Sequence, residues 1–326
     1  MDRDPRLAVS IKHLRMRTPL MTASGTSGSS DEVEGLREGT RVLDALGAFV
    51  TKGVTLDPRP GNPPPRVVET PSGLLNSIGL QNSGADAFVH KELPRVLRYE
   101  LPVIVNISAD SVKQFGELAA CLVENDVNHV IAGIEINVSC PNIKEGGVAF
   151  GIEPRLVERI VKGVKKRVED RVVVITKLTP NVTDITQPAN AAIAGGTDAL
   201  SMINTLRGMA IDIEHKKPFF KNVHGGLSGP AIRPVGVFMV YECFHKIPEC
   251  RDQRIPIVGI GGIAAWPDAL EYIMAGATAV GIGTSWFVNT RVFSQVKKGL
   301  AKYLRDHNTS VAELVGIGHG RGEPGA

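Results

Sequence analysis

One cysteine and two asparagines occur within eight residues at positions 135–142, which read EINVSCPN. An apolar run ends at Asn137, and Cys140 follows in a segment stiffened by Pro141. A thiol can act as a nucleophile, or as a general base when its pKa is lowered. Many cysteines are only small buried apolar residues, and the sequence does not separate the two chemical roles. Its place between two amides, Asn137 and Asn142, makes Cys140 the first catalytic candidate.

Two lysines end apolar runs: Lys52 closes FVTK and Lys177 closes VVVITK. An ammonium group at the end of a buried strand is costly when it has no partner. Each lysine could pair with a core carboxylate such as Glu135, or it could face an anionic ligand or a cofactor that becomes anionic. Both alternatives stay open at this point.

Glycine clusters occur late in the chain, at residues 225–231 (GGLSGPA), 258–263 (VGIGGI) and 280–284 (VGIGT). Backbone N–H groups at such positions can bind phosphate, although a tight turn also needs glycine. Three clusters together indicate a phosphorylated cofactor, while the spacing in GIGGIAAW differs from that of a dinucleotide-binding motif.

Amide side chains recur at or near the predicted ends of strands. An amide both donates and accepts hydrogen bonds, so a ring of amides suits a planar ligand with alternating N–H and C=O edges, such as a pyrimidine. Asparagine also favours turns, and the shared placement therefore matters more than any single residue. The residues are Asn76, Asn106, Asn137, Asn142 and Asn204.

The elements that position these residues alternate along the chain. Near-continuous apolar runs, typical of strands covered on both faces, are predicted at 19–23, 48–51, 103–106, 134–137, 172–177, 199–203, 257–259 and 279–281. Helices are predicted at 31–46, 85–97, 111–124, 154–168, 185–194, 234–245, 267–275 and 291–305. Eight such units predict an α/β fold, the (β/α)8 or TIM barrel.

Residues 1–326 are expected to form a single domain, because no linker or break in composition divides the chain. Residues 9–16 are either a hairpin that closes the N-terminal end of the barrel or a mobile tail. Long connections at 55–84, 139–153 and 204–233 are expected at the C-terminal face, where barrel enzymes place their active sites. Residues 306–326 form a C-terminal tail without a recognised motif.

Composition excludes several other classes of protein. The 37 basic and 34 acidic residues nearly cancel, so no nucleic-acid partner is expected. The cysteines include no CxxC pair, so neither a metal site nor an iron–sulfur cluster is expected on this chain. Apolar runs stay shorter than the ~18 residues of a membrane span, and the N-terminus differs from a signal peptide. We expect a cytoplasmic protein with free thiols and no membrane contact.

The motifs together resemble the dihydroorotate dehydrogenase family, and within it the catalytic subunits of class 1B. The resemblance runs in order from residue 23 to residue 284, most of the chain. Its stretches are ASGTSG, TKGVTLDPRPGNPPPRVVETPSGLLNSIGLQNSG, INVSCPN with GGVAFG, KLTPNVTDI, MINTLRG, GGLSGPAIRP, GIGGI and AGATAVGIGT.

The resemblance implies a TIM barrel that binds one FMN and oxidises (S)-dihydroorotate to orotate in pyrimidine (UMP) biosynthesis. Cys140 would take the C5 proton, while the C6 hydride passes to flavin N5. Lys52 would touch both flavin and substrate, and Lys177 would lie near the flavin pyrimidine. Substrate would also contact Asn76, Ser77, Ile78, Gly79, Leu80, Asn137, Asn142, Asn204 and Thr205. Flavin would contact Ser24, Lys52, Gly53, Asn106, Asn137, Lys177, Ile203, Gly229, Gly261, Gly262, Gly283 and Thr284.

Class 1B members pair with an electron-transfer subunit that carries FAD and a [2Fe–2S] cluster and reduces NAD+. The resemblance therefore implies a homodimer at the core of a heterotetramer. A cysteine base fits class 1, because class 2 enzymes use serine and carry a membrane-binding helix. Ser27 departs from the aromatic residue that the family usually has in ASGTFG.

Four alternatives remain at this stage. Within related flavoenzymes they are a fumarate-dependent class 1A enzyme and a uracil reductase like dihydropyrimidine dehydrogenase. Outside them are a non-catalytic phosphate-binding barrel and a lyase that uses Lys177 as a Schiff base. The non-catalytic barrel has no use for Cys140 between two amides, and borohydride trapping would identify the lyase.

Overall fold

The computed structural model describes residues 4–28, 39–96, 99–139 and 150–320. In these residues the strands are β1 (Val9–Ile11), β2 (Leu14–Met16), β3 (Leu20–Thr22), β4 (Phe49–Val50), β5 (Val67–Thr70), β6 (Gly73–Asn76), β7 (Val103–Ile107), β8 (Ile131–Asn137), β9 (Val173–Lys177), β10 (Ala199–Met202), β11 (Leu206–Gly208), β12 (Ile211–Asp212), β13 (Lys217–Pro218), β14 (Gly225–Ser228), β15 (Ile257–Ile260) and β16 (Ala277–Ile282).

The helices of the same residues lie mainly between the strands. They are α1 (Gly39–Ala45), α2 (Ala85–Ala87, continued by a π-helical turn at Phe88–Glu92), α3 (Leu93–Val96), α4 (Val112–Glu124), α5 (Pro154–Val168), α6 (Thr186–Ala194), α7 (Arg233–Lys246), α8 (Pro248–Arg251), α9 (Trp266–Ala275), α10 (Ser285–Val288), α11 (Val292–Asp306) and α12 (Val311–Leu314). None of them is long and apolar enough to cross a membrane.

Eight parallel strands form the barrel in the order β3-β16-β15-β10-β9-β8-β7-β4. A parallel bridge between Met21 and Ala48 joins β3 to β4 and brings the two ends of the sheet together. Apart from the β3–β16 contact, neighbouring barrel strands follow one another along the chain, with helices between them. The predicted (β/α)8 barrel is confirmed.

Burial explains why these segments form strands and helices. Every residue of β7, β9 and β16 is buried, as expected for strands covered by helices outside and side chains inside. Helix α5 begins at Pro154 after the side chain of Glu153 accepts a hydrogen bond from the Arg155 amide. It buries one valine-rich face, including Val157 and Val164, so amphipathic spacing fixes its orientation on the barrel.

The hairpin β1–β2 closes the N-terminal end of the barrel. Its side chains Ile11, Leu14 and Met16 are buried with inward-facing barrel residues such as Val173. At the turn, the Lys12 ammonium contacts the carboxylates of Asp170 and Asp198, at 2.5 and 3.0 Å. Of the two predictions for residues 9–16, the hairpin is therefore confirmed.

A second sheet is built from two of the long connections, in which the sequence predicts no strands. Strands β11, β14, β6 and β5 form it in that order, all antiparallel. Residues 55–84 and 204–233 thus fold together at the C-terminal side of the barrel. A separate small hairpin, β12–β13, lies within the second of these segments.

The C-terminal tail packs against the outer helices as far as residue 320. Helix α12 begins with a capping box between Ser310 and Glu313. The His319 ring then stacks on Tyr241 of α7 at a centroid distance of 3.8 Å, and its Nε2 lies 3.0 Å from the carbonyl oxygen of Ala275. The last segment of the chain that the structure describes is therefore held against α7 and α9.

Candidate active site

The C-terminal ends of four neighbouring strands bring the predicted polar residues together. Asn106 of β7 is in register with Glu135 of β8, and Asn137 of β8 with Lys177 of β9. Lys177 is also in register with Ser201 of β10. Parallel register alone therefore places two amides, a carboxylate, an ammonium and a hydroxyl at one end of the barrel.

A buried carboxylate connects several of these groups. Glu135, which is 2% exposed, accepts hydrogen bonds from Asn106 Nδ2 at 2.6 Å and from Ser201 Oγ at 2.8 Å. Its Oε2 also lies 3.8 Å from Lys177 Nζ. The ion pair that the sequence left as one alternative for Lys177 is thus present, and it involves the carboxylate that was named.

The amide of Asn106 has one satisfied end and one unsatisfied end. Its nitrogen faces Glu135, whereas its Oδ1 is buried and has no hydrogen-bond partner among the residues that the structure describes. A Cβ atom added to Gly53 would lie 3.1 Å from this oxygen. A buried carbonyl oxygen without a partner is costly, so the site suits a ligand that presents an N–H group beside Gly53.

Lys52 follows β4 and is half-buried. Its backbone N–H donates to the carbonyl oxygen of Gly28 at 3.1 Å, which connects the end of β4 to the loop after β3. Its ammonium forms no ion pair with any residue in the described ranges. The two lysines therefore differ, because Lys177 has a carboxylate partner and Lys52 does not.

A row of amides extends from β8 towards the second sheet. Asn137 Oδ1 accepts hydrogen bonds from the Ser139 amide at 3.1 Å and from Asn204 Nδ2 at 3.2 Å. Asn204 Oδ1 accepts from the Thr205 amide at 2.8 Å. A Cβ on Gly226 would collide with Thr205 Oγ1, so β14 passes directly beside this row.

The predicted substrate segment, residues 76–80, leaves the second sheet at this point. Asn76 Nδ2 donates to the carbonyl oxygen of Gly226 at 3.2 Å. Gly79 has a φ of 76° and no room for a side chain, since a Cβ would lie 2.5 Å from Asn62 Oδ1. Leu80 then approaches Gly53, with Cδ2 3.7 Å from the position of a Cβ there. The segment therefore runs from the amide row to the end of β4.

Asn62 also holds two other members of this segment. Its Nδ2 donates to the carbonyl oxygen and to Oγ of Ser77, at 3.0 and 3.1 Å. Its backbone N–H donates to the carbonyl oxygen of Ile78 at 2.9 Å. These bonds fix the path of the predicted substrate segment before any ligand binds.

The three glycine clusters meet on the other side of the barrel mouth. Gly229 has a φ of 94°, and a Cβ there would lie 2.7 Å from Gly73 Cα and 3.5 Å from Thr284 Cγ2. A Cβ on Gly262, at a φ of 70°, would lie 2.9 Å from the carbonyl oxygen of Gly229. Thr284 Oγ1 donates to Ser228 Oγ at 2.8 Å. Bare backbone from three loops therefore converges, as phosphate binding requires.

Tyr272 forms a hydrogen bond with the second glycine cluster, residues 258–263. Its hydroxyl donates to the carbonyl oxygen of Gly261 at 2.8 Å. Burial raises the pKa of Tyr272 well above its ordinary value, so the phenol keeps its proton and stays a donor. The backbone N–H of Ile203 donates to the carbonyl oxygen of Ile260 at 2.9 Å, which ties β10 to the same loop.

The remaining predicted cofactor residues lie at the ends of β3 and β16. Gly283 packs beside Ala23, since a Cβ on it would lie 3.2 Å from Ala23 Cβ. Ser24 follows Ala23 in a turn and is half-buried. No hydrogen bond joins Ser24 to another predicted site residue among those that the structure describes.

Cys140 and Asn142 lie outside the described residues. The other three cysteines are free, and burial raises the pKa of each of them. The pKa of Cys250 rises to about 12, that of Cys243 rises well above its ordinary value, and that of Cys121 rises with help from nearby carboxylates. These thiols stay protonated at neutral pH and are poor nucleophiles or bases.

Two features of the site were missed or only partly anticipated from the sequence. Ser201 lies inside the apolar run ALSM, and a hydroxyl in a fully buried strand is the signal that identifies it. Ser27, the departure from the family pattern, is buried, and its Oγ has no hydrogen-bond partner within the described part of the chain. The described residues contain no group of three potential metal ligands.

Comparison with known proteins identifies close relatives. A sequence model of the dihydroorotate dehydrogenase family matches residues 6–304. The "Dihydroorotate dehydrogenase B (NAD(+)), catalytic subunit" of Geobacter sp. (strain M21) is 45% identical over 313 residues, which cover 96% of this chain and 98% of the relative. The protein of the same name from Thermoanaerobacter sp. (strain X514) is 49% identical over 311 residues, with 95% and 98% covered.

Proposed function

Because the chain belongs to the dihydroorotate dehydrogenase family, we propose that it oxidises (S)-dihydroorotate to orotate in pyrimidine biosynthesis, as the catalytic subunit of an enzyme that reduces NAD+. The observation that carries the proposal is the convergence at one end of the barrel of the glycine clusters, the two lysines and the amide row. The glycine clusters there suit a phosphate, the lysines suit negative charge, and the amide row suits a pyrimidine ring.

FMN is the cofactor that these groups fit. The Oδ1 of Asn106, which is buried and meets no donor in the described ranges, matches an N–H group of the isoalloxazine ring. The glycine clusters offer bare backbone to a phosphate. The residues that would hold FMN are Ser24, Lys52, Gly53, Asn106, Asn137, Lys177, Ile203, Gly229, Gly261, Gly262, Gly283 and Thr284. Bound FMN supplies a two-electron acceptor for the hydride of dihydroorotate.

The lysines supply positive charge where the reaction develops or holds negative charge. Lys177 is 5% exposed, and in so dry an environment its ammonium interacts strongly with a neighbouring anion. Lys52 has no carboxylate partner among the described residues, which leaves its ammonium for the carboxylate of the substrate. Such preorganised charges stabilise a transition state because they need not reorient during the reaction.

The substrate contacts that we propose are the amide row and residues 76–80. Asn137 and Asn204 hold one another through a side-chain hydrogen bond, so their remaining donor and acceptor positions are fixed in direction. Amides in fixed orientation can recognise the alternating N–H and C=O groups of a dihydropyrimidine. The complete set is Lys52, Asn76, Ser77, Ile78, Gly79, Leu80, Asn137, Asn142, Asn204 and Thr205.

Cys140 is the general base of the proposal and removes the C5 proton. The Ser139 amide donates to Asn137 Oδ1, so the chain turns directly after β8, and Cys140 follows one residue later. A thiol acts as a base only when its pKa is lowered towards neutrality. The raised pKa values of Cys121, Cys243 and Cys250 exclude these thiols from that role at neutral pH.

The electrons leave, in this proposal, through a partner subunit that carries FAD and a [2Fe–2S] cluster. The relatives are named as catalytic subunits of an NAD(+) enzyme, and a subunit so named works with another. We expect a homodimer of this chain at the core of a heterotetramer, and a cytoplasmic location where thiols remain free.

The proposal is tested by the acceptor that the purified enzyme uses. The chain is produced with and without a partner subunit of the FAD/[2Fe–2S] class, and dihydroorotate oxidation is followed with NAD+ or fumarate. We expect FMN in the chain alone and NAD+ reduction only with the partner. Efficient turnover with fumarate by the chain alone would assign it to class 1A, and a chain unable to bind FMN would overturn the proposal.

A further inference from the structure

We propose that Glu135 is a positioning residue that sets the reduction potential of the bound flavin through Asn106 and Lys177. The inference rests on the proposed function, because it concerns the same FMN site. Glu135 does not belong to the predicted cofactor or substrate contacts. It is buried in the barrel, in register with Asn106, and contacts two residues that do, Asn106 and Lys177.

Glu135 fixes the orientation of the Asn106 amide. An ionised carboxylate has no proton to donate, so only the NH2 end of Asn106 can face Glu135, and it does so at 2.6 Å. The Ser201 hydroxyl donates to the other carboxylate oxygen at 2.8 Å and keeps the carboxylate in place. The Asn106 carbonyl oxygen is thereby turned away from Glu135, towards Gly53.

This orientation leaves the carbonyl oxygen of Asn106 available to a ligand. Asn106 is 1% exposed, and its Oδ1 meets no donor among the described residues. A Cβ on Gly53 would come within 3.1 Å of it, so this oxygen lies at the mouth of the barrel beside a predicted flavin contact. Without the carboxylate, the amide could rotate and present its NH2 group to the ring instead.

Glu135 also offsets part of the positive charge of Lys177. Lys177 Nζ lies 3.8 Å from Glu135 Oε2, and it has no other ion pair within the described part of the chain. Reduction gives the flavin negative charge, which a neighbouring ammonium stabilises. The carboxylate of Glu135 partly offsets that ammonium. Glu135 therefore holds the potential of the flavin lower than Lys177 alone would set it.

The test measures the reduction potential of FMN in the holoenzyme of Glu135→Gln, which keeps the shape of the side chain and removes its charge. We expect the equilibrium between oxidised and reduced flavin to move at least tenfold towards the reduced form, a rise of about 30 mV for a two-electron couple. The matched control is Asp126→Asn. Asp126 is a buried carboxylate beside the other end of β8, and it accepts from Val130 and Ile131; its loss should leave the potential unchanged.

A double variant, in which Glu135→Gln is combined with Lys177→Met, separates positioning from a general effect on folding. In the Lys177→Met background, Glu135→Gln should shift the potential by less than half as much, because the charge that Glu135 offsets is gone. If Glu135→Gln fails to fold, Ser201→Ala replaces it. That substitution removes the donor to Oε1, so the carboxylate that faces Lys177 and Asn106 through Oε2 keeps more of its negative charge, and the potential should fall.

The inference is overturned if Glu135→Gln leaves the potential unchanged or lowers it while Asp126→Asn has no effect. It is also overturned if the shift is equally large in the Lys177→Met background, or if Ser201→Ala raises the potential. Failure of the proposed function has a different signature, because a parental chain that binds no FMN has no flavin potential to measure.

Discussion

The two ends of the barrel are built by the same strand–helix units, but they differ in whether their polar groups have partners within the chain. At the N-terminal end, the Lys12 ammonium contacts two carboxylates, and Asp198 also accepts from the Val174 amide. At the C-terminal end, the buried Asn106 Oδ1 lacks a partner, and Lys52 lacks an ion pair in the described ranges. The first end stabilises the fold, and the second leaves groups for a ligand.

The largest effect that separates the two ends is expected from Cys140→Ala. Loss of a general base should lower the rate of dihydroorotate oxidation by about 10²–10⁴-fold while the FMN content stays the same. Cys121→Ala is the matched control, because burial raises the pKa of Cys121. Anaerobic stopped-flow measurement of flavin reduction checks this prediction. A parental rate in Cys140→Ala would remove Cys140 from the proposed mechanism.

At the N-terminal end, Ile11→Ala should reduce stability without changing catalysis. Ile11 is fully buried in the hairpin that closes the barrel, and truncation of such a side chain lowers the free energy of unfolding by about 2–5 kcal/mol. Urea unfolding curves give this loss, and the rate of flavin reduction should match that of the parent. A changed rate at full FMN occupancy would show that the two ends are coupled.

A pair of glycines that both have a positive φ, Gly262 and Gly196, compares the two ends. Gly262→Ala should weaken FMN binding at least about tenfold, ~1.4 kcal/mol, because the Cβ would lie 2.7 Å from Arg233 Cβ and 2.9 Å from the Gly229 carbonyl oxygen. Gly196, near the N-terminal end, also has a positive φ, but a Cβ there would come no closer than 3.6 Å to a side chain. Gly196→Ala should therefore keep the parental affinity in fluorescence titrations of the apoprotein. Equal affinities for the two variants would contradict the glycine cradle.

The smallest expected effect is the contribution of His319, in the C-terminal tail, to the pH dependence of stability. Burial lowers the pKa of His319 below its ordinary value, with a further contribution from His245. The unfolded chain then binds the proton more readily, so stability is complete above the unfolded pKa of about 6.5 and decreases as the pH falls below it. His319→Phe keeps a ring against Tyr241 and should show a weaker loss between pH 7 and pH 5 in thermal unfolding. Parallel pH profiles would assign the loss to other groups.

Much of this architecture could be predicted because local patterns determine it. The apolar run VVVITK predicts a buried strand that ends at Lys177, and Pro154 marks the first residue of α5. The sequence did not predict the second sheet, because its strands are short and half-exposed and its central pairing joins β6 to β14, in which Asn76 is in register with Gly226, 150 residues away. Only the hairpin β5–β6 had a local signal, the two residues that separate Thr70 from Gly73.

The sequence predicted which residues form the candidate site more fully than it predicted the hydrogen bonds and ion pairs between them. Strand ends indicated Asn106, Asn137 and Lys177, because parallel strands present their carboxyl ends at one face. The sequence could not show that Glu135 joins Asn106 to Lys177, since that depends on the register between three strands. Nor does it assign the end of the Asn106 amide that faces a ligand, which only the hydrogen bond to Glu135 determines.

An anaerobic titration of the purified, FMN-loaded chain with dihydroorotate, without partner subunit or NAD+, shows whether this end of the barrel carries out the oxidation by itself. We expect loss of the visible absorbance of oxidised flavin, with one orotate formed for each FMN reduced. A flavin that dithionite reduces but dihydroorotate leaves oxidised would contradict the claim that this end of the barrel oxidises dihydroorotate.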